Sequence, residues 1–438
     1  MKLHAFHATD GDCLLLESDG GRRVLVDGGR TKSFAQCTQP VLDGLAADGT
    51  ALDLVVVSHI DADHISGIIP LLDAVEKWAS FEHQAQDAEE RDGLRPPKLP
   101  KPPEIKGIWH NSWRSQLGKL ADPAGNLAQA VASAVNLAYG AGDTDIGEPA
   151  LTMSNLATSV QQGEDLMLKI EGARVPIPFN EPFGGMVLLR SPIHVEKLGT
   201  LKLSVLGPAK KHITELRKKF QVLVDAVPQH GRDAGHGDGH ALDLGGIPLE
   251  MALEASRALI DDVTARAEII KEADASKVTV PNRASIILLA EENGSTCLLT
   301  GDAAEPEIID GLKAAKLLGR EPFRCNVLKV QHHGAEHNVS AEFTERVLAD
   351  HYVLSGDGAS GNPNPSVVRT IIETRLDADP SKPFTLWFTT SATRSSTDTK
   401  RAVMRDAIAE ATKAEQDHPD MVSVRVLADD QNFHTIEF

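Results

Sequence analysis

The sequence has little cysteine and no long apolar run. Its four cysteines, Cys13, Cys37, Cys297 and Cys325, are scattered through 438 residues without CxxC spacing, so no thiolate metal ribbon or disulfide framework can be read from them. Cys13, Cys297 and Cys325 sit in or beside apolar runs and read as buried thiols. No apolar stretch reaches the ~18–20 residues that a membrane span requires. The opening MKLHAFHATDGDCLLLES lacks a basic head, a long apolar core and a small-residue cleavage site, so it does not read as a signal peptide. These absences describe a cytoplasmic protein of bacterial type with no membrane partner. Also missing are a GxSxG nucleophile elbow, a P-loop and a Rossmann glycine pattern in a strand-to-helix setting. There is no repeat at a fixed period. The formal net charge of −19 argues against a chain coated in basic surface for sequence-independent nucleic-acid binding.

One stretch organises what is present: DLVVVSHIDADHISG, residues 53–67. Its first half, with three consecutive valines at 55–57, reads as a buried strand. Its second half places His59, Asp61, Asp63 and His64 where that strand ends. Two imidazoles and two carboxylates so closely spaced suit a borderline divalent metal such as Zn²⁺ or Mn²⁺. The plain alternative is a polar turn after a strand.

Taken in order, residues 1–29 read as a hairpin turning at Asp19-Gly20-Gly21, its second strand closing on Asp27, Gly28 and Gly29. A helix over 33–50 follows, then the ligand-bearing loop and a second helix from His64–Ile65. Residues 81–104 end in RPPKLPKPPE and read as an extended loop. EIKGIW, 104–109, is a short strand that delivers His110 and Asn111. Residues 115–175 read as helical, and 185–207 as two strands, GGMVLLRS and LKLSVLGP. A helix-rich excursion spans 209–275. Its basic run, Lys210, Lys211, Arg217, Lys218 and Lys219, is either a solvated helix face or a phosphate track. His230, His236 and His240 in its glycine-dense centre invite a metal reading, against which stands a flexible loop.

From 278 the pattern is strongly β. VTVPNRASIILLAEE and STCLLTGD read as antiparallel strands, the second ending at Asp302, and CNVLKVQ delivers His332 and His333. AEFTERVLAD reads as a helix and HYVLSGDG as a strand, and NPNPSVVRTIIETRL as a helix. FTLWFTTS and VSVRVLADD read as the last strands, with a helix over 398–413 between them. The alternation points to a layered α/β architecture.

Four strand ends therefore carry ligand-type side chains, and buried strands can bring their ends to one edge of a core. His59, Asp61, Asp63, His64, His110, Asp302 and one of His332/His333 are seven candidates, too many for one tetrahedral ion. They suit two ions sharing a bridging carboxylate, about 3.5–4 Å apart, with a metal-activated water as the nucleophile.

These residues resemble the metallo-β-lactamase fold superfamily, whose hallmark HxHxDH is matched by His59-x-Asp61-x-Asp63-His64 with aspartate in the second position. That aspartate is usual in the ComEC-type competence-protein branch, which the chain resembles most, although it lacks that branch's membrane channel. The further matches, in family order, are GDCLLL (11–16), LVDGG (25–29), NRASIILL (282–289), LLTGD (298–302) and LKVQHHG (328–334). The resemblance implies a single αββα sandwich over 1–438, with insertions at about 72–104, 115–180 and 209–275. It implies that His59, Asp61 and His110 hold one metal and that Asp63, His64 and His333 or His332 hold the other, with Asp302 bridging. Asp63 and Asp302 would then serve catalysis, and Asp12, Asp27 and Asn111 would support the ligands from behind.

The expected activity is that of a dinuclear phosphodiesterase or nuclease acting on nucleic acid or a nucleotide, within a bacterial defence system. The same metals would also serve an ester, thioester or lactam hydrolase, and a third reading makes the chain a partner-dependent component of a multi-protein complex.

Overall fold

The computed structural model describes residues 1–86, 94–143, 146–173, 177–226, 249–273 and 282–438. The described residues form two sheets. The first contains β1 (Lys2–Phe6), β2 (Leu14–Glu17), β3 (Arg23–Val26), β4 (Leu54–Val57) and β5 (Ile108–His110). The second contains β6 (Val195–Leu198), β7 (Leu201–Gly207), β8 (Ile287–Glu292), β9 (Ser295–Leu299) and β10 (Phe323–Lys329). It continues through β11 (Val347–Leu354), β12 (Phe384–Phe388) and β13 (Val422–Val426), whereas β14 (Phe433–Glu437) returns to the first sheet. The strand orders are β14-β1-β2-β3-β4-β5 and β13-β12-β11-β10-β9-β8-β7-β6.

Apolar side chains from both sheets share one core, among them Leu16, Val26, Val56, Leu203, Leu288 and Val327. Helices cover the outer faces. Ile65, Ile68 and Leu71 pack under the first sheet, and Ile308, Ile371 and Met404 under the second. The layering is the expected αββα sandwich.

Each sheet changes from antiparallel to parallel pairing partway across. β3, β4 and β5 run parallel, as do β9, β10, β11, β12 and β13. Parallel neighbours need crossovers, which here are helices, and strands buried on both faces read as unbroken apolar runs such as LVVV at 54–57. Parallel strands also end together. The residues that follow β3, β4, β5, β9, β10 and β11 are Asp27, His59–His64, Asn111, Asp302, His332–His333 and Ser355. Loops beyond the carboxyl ends of such strands are where open α/β sheets bind ligands.

Several local expectations change. Residues 1–29 form three strands: the expected long first strand breaks at 7–13, and its halves pair with each other as β1 and β2. GGMVLLRS holds no strand; Asn111 instead clamps the backbone of Val187 with both ends of its amide. The helix Ile68–Gln86 runs into the segment expected to be loop. VLAD, read as helix, opens β11, and β14 is an edge strand not foreseen, pairing with β1 across the whole chain length. VTVPNRAS contributes a short turn at Asn282–Ala284 before β8 starts at Ile287, and 274–281 lie outside the described residues. His230, His236 and His240 lie outside them too.

The helices Trp113–Leu117, Ala121–Gly140, Glu148–Glu171, Lys210–Ala226 and Leu249–Ala273 pack with one another around Trp113, Val131, Val160, Ile213, Phe220 and Val263. Among the described residues, Ile60, fully buried between His59 and Asp61, and Ala284, just ahead of β8, enter this helical core, and Met186 and Leu188 pack against it. Ser66 adds a hydrogen bond to Gln162 at 2.9 Å. The helical layer thus grips the ligand loop directly.

Candidate metal centre

The loop after β4 is held from behind by Asp27. This residue is buried, with φ of 60°. Its Oδ1 accepts from the Ser58 backbone N–H at 2.7 Å, and its Oδ2 accepts from the Ser58 hydroxyl at 2.7 Å. Oδ2 also lies 2.8 Å from His64 Nδ1. The glycines after Asp27 allow the close approach. A Cβ on Gly28 would stand 2.7 Å from the backbone nitrogen of Ile68, where no side chain fits.

Hydrogen-bond logic then sets the histidine tautomers. A carboxylate or carbonyl oxygen can only accept, so an imidazole nitrogen facing one carries a proton, and in the neutral, metal-binding form of the ring the other nitrogen is then bare. His64 Nδ1 faces Asp27 and His110 Nδ1 faces the carbonyl of Val57 at 3.2 Å. His59 Nδ1 lies 3.0 Å from Ser58 Oγ, whose own hydrogen is committed to Asp27. His333 Nδ1 stands 3.4 Å from Asp12 Oδ1. All four rings therefore anchor Nδ1 and offer Nε2. This is the pattern of metal-ligating histidines, whose second nitrogen donates to a carboxylate or carbonyl behind.

The offered atoms meet. Asp302 Oδ2 lies 3.3 Å from His333 Nε2, 3.4 Å from His64 Nε2 and 3.8 Å from His59 Nε2. His64 and His333 present Nε2 atoms 3.3 Å apart, and Asp63 Oδ2 is 3.3 Å from His333 Nε2. A tetrahedral ion with ligands at about 2.0–2.1 Å has ligand–ligand edges of about 3.3–3.4 Å. Asp61 Oδ2 stands 3.5 Å from His59 Nε2. Among the described residues the buried Nε2 atoms of His59 and His110 have no hydrogen-bond partner, a costly arrangement unless something else takes their lone pairs. The residues present therefore fit divalent metal.

Asp12, His64, Asp302 and His333 place donor atoms within 4.8 Å of one another. Asp12 nevertheless stands behind the rings: its near contacts are the Nδ1 atoms of His333 and His64, the Ser355 hydroxyl and the Lys329 ammonium. His332 also differs from its neighbour. Its Nδ1 meets Asn338 at 2.8 Å and its Nε2 meets Asn282 at 3.1 Å, so both nitrogens are engaged and the ring lies 3.8 Å from Asp302 Oδ2. Asn111 faces Val187 and does not face the cluster. His332, His333 and Gly334 have φ of 47°, 54° and 77°, an unfavourable run for non-glycine residues that turns His333 into the cluster.

Burial opposes charge on His64 and His333, yet the surrounding carboxylates outweigh it and hold both imidazoles' pKa well above the usual value, so in the metal-free protein each Nε2 carries a proton that a divalent ion would displace. Burial likewise opposes charge on Asp12, Asp63 and Asp302, but the adjacent cations keep all three well below the usual carboxylate range. His110, buried with no carboxylate at contact distance, is pushed down to about 4 and is neutral at physiological pH. Solvent reaches the cluster on the side of Asp61, Asp63 and His332, whose side chains are 28 %, 20 % and 24 % exposed.

Sequence reasoning missed Ser58, Ser355 and Lys329. A lysine inside the apolar strand run NVLKVQ was the available signal for the last, because a buried ammonium needs partners.

Comparison with protein families agrees with this geometry. The family model of the metallo-beta-lactamase superfamily matches residues 8–119, which contain Asp12, Asp27, the loop 59–64 and His110. The match covers about a quarter of the chain, and the layered α/β fold is consistent with a metallo-β-lactamase sandwich. No curated protein matches the chain. Among the described residues no helix is long and apolar enough to cross a membrane.

Proposed function

We propose that the protein is a dinuclear metal-dependent hydrolase of phosphodiesters, acting on nucleic acid or a nucleotide. The observation that carries the metallohydrolase reading is the convergence of three Nε2 atoms, each on a ring anchored through Nδ1, around Asp302 Oδ2. His59, Asp61 and His110 would hold one ion, Asp63, His64 and His333 the other, and Asp302 would stand between them. Nitrogen and carboxylate donors of this mix suit Zn²⁺ or Mn²⁺. Divalent ions bound there supply Lewis acidity and lower the pKa of water to near neutrality.

The chain's own residues do the rest. Asp27 and Ser58 orient His64 and His59, and Asp12 orients His333. Asp63, partly open to solvent, would orient an attacking water as a hydrogen-bond acceptor. Arg30 favours a phosphate over an acyl group. It is held by Asp10 through two contacts of 2.7 Å, is 40 % exposed, and feels the charges of Asp61 and Asp63 at the open side. The aspartate at 61 and the LKVQHHG segment support a resemblance to the ComEC-type branch. The helical segments act as insertions that shape access to the centre.

Metal-loaded protein should turn over bis-p-nitrophenyl phosphate, and then single-stranded DNA, RNA or a cyclic nucleotide. Turnover of p-nitrophenyl esters, thioesters or a chromogenic lactam, with none of the phosphodiesters, would replace this reading with the acyl-hydrolase one.

A further inference from the structure

We propose that Lys329 is a positioning residue of the metal centre, holding Asp302 so that its Oδ2 alone is presented to the residues that would hold the ions. Lys329 ends β10 with its side chain 1 % exposed. An ammonium has three donors, and burying it costs several kcal/mol unless all are met. Here they converge on the centre. Nζ pairs with Asp12, lies 3.1 Å from the carbonyl of Gly301, and faces Asp302 Oδ1 at 3.5 Å.

Asp302 is thereby split by role. Oδ1 makes no hydrogen bond among the described residues and has the lysine as its ion-pair neighbour. Oδ2 faces the Nε2 atoms of His59, His64, His332 and His333, all at 3.3–3.8 Å. A carboxylate free to turn can chelate one ion with both oxygens. The lysine opposes that turn and keeps Oδ2 towards the ligand rings. The same ammonium balances Asp12, which backs His333, so a single side chain orients one ligand carboxylate and one ligand ring. This inference rests on the metal centre and not on the choice of substrate.

The test uses the full chain loaded with Mn²⁺ alone, read by metal analysis after desalting and by electron paramagnetic resonance. The wild type is expected to hold two ions per chain with an exchange-coupled spectrum. Lys329→Met keeps the length of the side chain and removes its charge. It should lose the weaker ion, with about 10–100-fold lower affinity, and give the uncoupled six-line spectrum of an isolated ion. Lys329→Arg restores charge with different geometry and should recover content better than coupling. The proposal is overturned if Lys329→Met keeps two ions and an unchanged coupled spectrum, or if the wild type binds one ion. Should Lys329→Met fail to fold by circular dichroism, Lys329→Arg decides: an unchanged coupled spectrum overturns the proposal and a weakened one supports it. A wild type that takes up no Mn²⁺ overturns it together with the metal centre. The phosphodiesterase reading stands or falls in its own turnover assay.

Discussion

Replacing Asp27 with asparagine tests the tautomer argument on which the centre depends. The change conserves size in a site that is 1 % exposed, so packing is kept. It replaces one acceptor oxygen with an NH₂ donor. Asp27 accepts three contacts, from the Ser58 N–H, the Ser58 hydroxyl and His64 Nδ1, at 2.7, 2.7 and 2.8 Å. If the new NH₂ faces His64, Nδ1 must accept, the ring proton moves to Nε2, and the atom offered to metal is blocked. If it faces the Ser58 N–H, two donors meet and one is left unsatisfied, at a cost of about 1–3 kcal/mol. Loss of charge assistance on the remaining bonds adds about 1 kcal/mol, so the apoprotein should lose about 2–4 kcal/mol. Metal affinity should fall about 10–100-fold, the usual effect of removing an outer carboxylate. Chelator competition and urea unfolding of the metal-free protein measure the two effects. Affinity within about threefold of wild type, with apoprotein stability unchanged, would refute the reasoning.

Two further outcomes follow from particular residues. Ile60→Ala deletes a fully buried side chain that plugs the ligand loop into the helical core, and should cost about 2–4 kcal/mol and weaken metal binding. Ile260→Ala, in the same helical core but away from the loop, should cost a similar amount and leave metal affinity alone; equal affinity in the two variants would sink the coupling argument. The metal-free protein should also lose stability in acid. His110 and His212 are each lowered from 6.5 to about 4, chiefly by burial, so their contribution is complete above 6.5 and is lost as pH falls towards 4. Each adds a slope of up to about 1.4 kcal/mol per pH unit in that window. His64 and His333, raised above 6.5, have the opposite sign: their contribution is complete below 6.5 and is lost only as pH rises through their folded values. Urea midpoints from pH 4 to 7 that are flat in wild type, or unchanged in slope in His212→Asn, would contradict this account.

The layered fold was legible because its signals are local. Runs such as LVVV and the β–turn–α alternation do not depend on distant partners. Reading failed where pairing decides structure. β14 is a strand because β1 offers an edge to it, and GGMVLLRS is not a strand because Asn111 claims its backbone. In AEFTERVLAD, helix and strand meet at Arg346–Val347, where β11 finds β10 beside it.

The donors are likewise written in the sequence. A cluster such as His59-x-Asp61-x-Asp63-His64 at a strand end is visible without coordinates, and so is the pair His332–His333. What each donor faces is not visible. His64 and His333 meet across 269 residues, and their Nδ1 anchors, Asp27 and Asp12, come from other strands again. His332 and His333 have the same side chain and adjacent positions. Only the left-handed turn after β10, with Asn282 and Asn338 waiting on one side and Asp302 on the other, separates a ring with both nitrogens engaged from one that offers Nε2. Chemical identity was settled by the sequence alone. Selection among identical groups required the tertiary structure, because a hydrogen bond depends on direction and distance, and neither can be read from spacing along a chain.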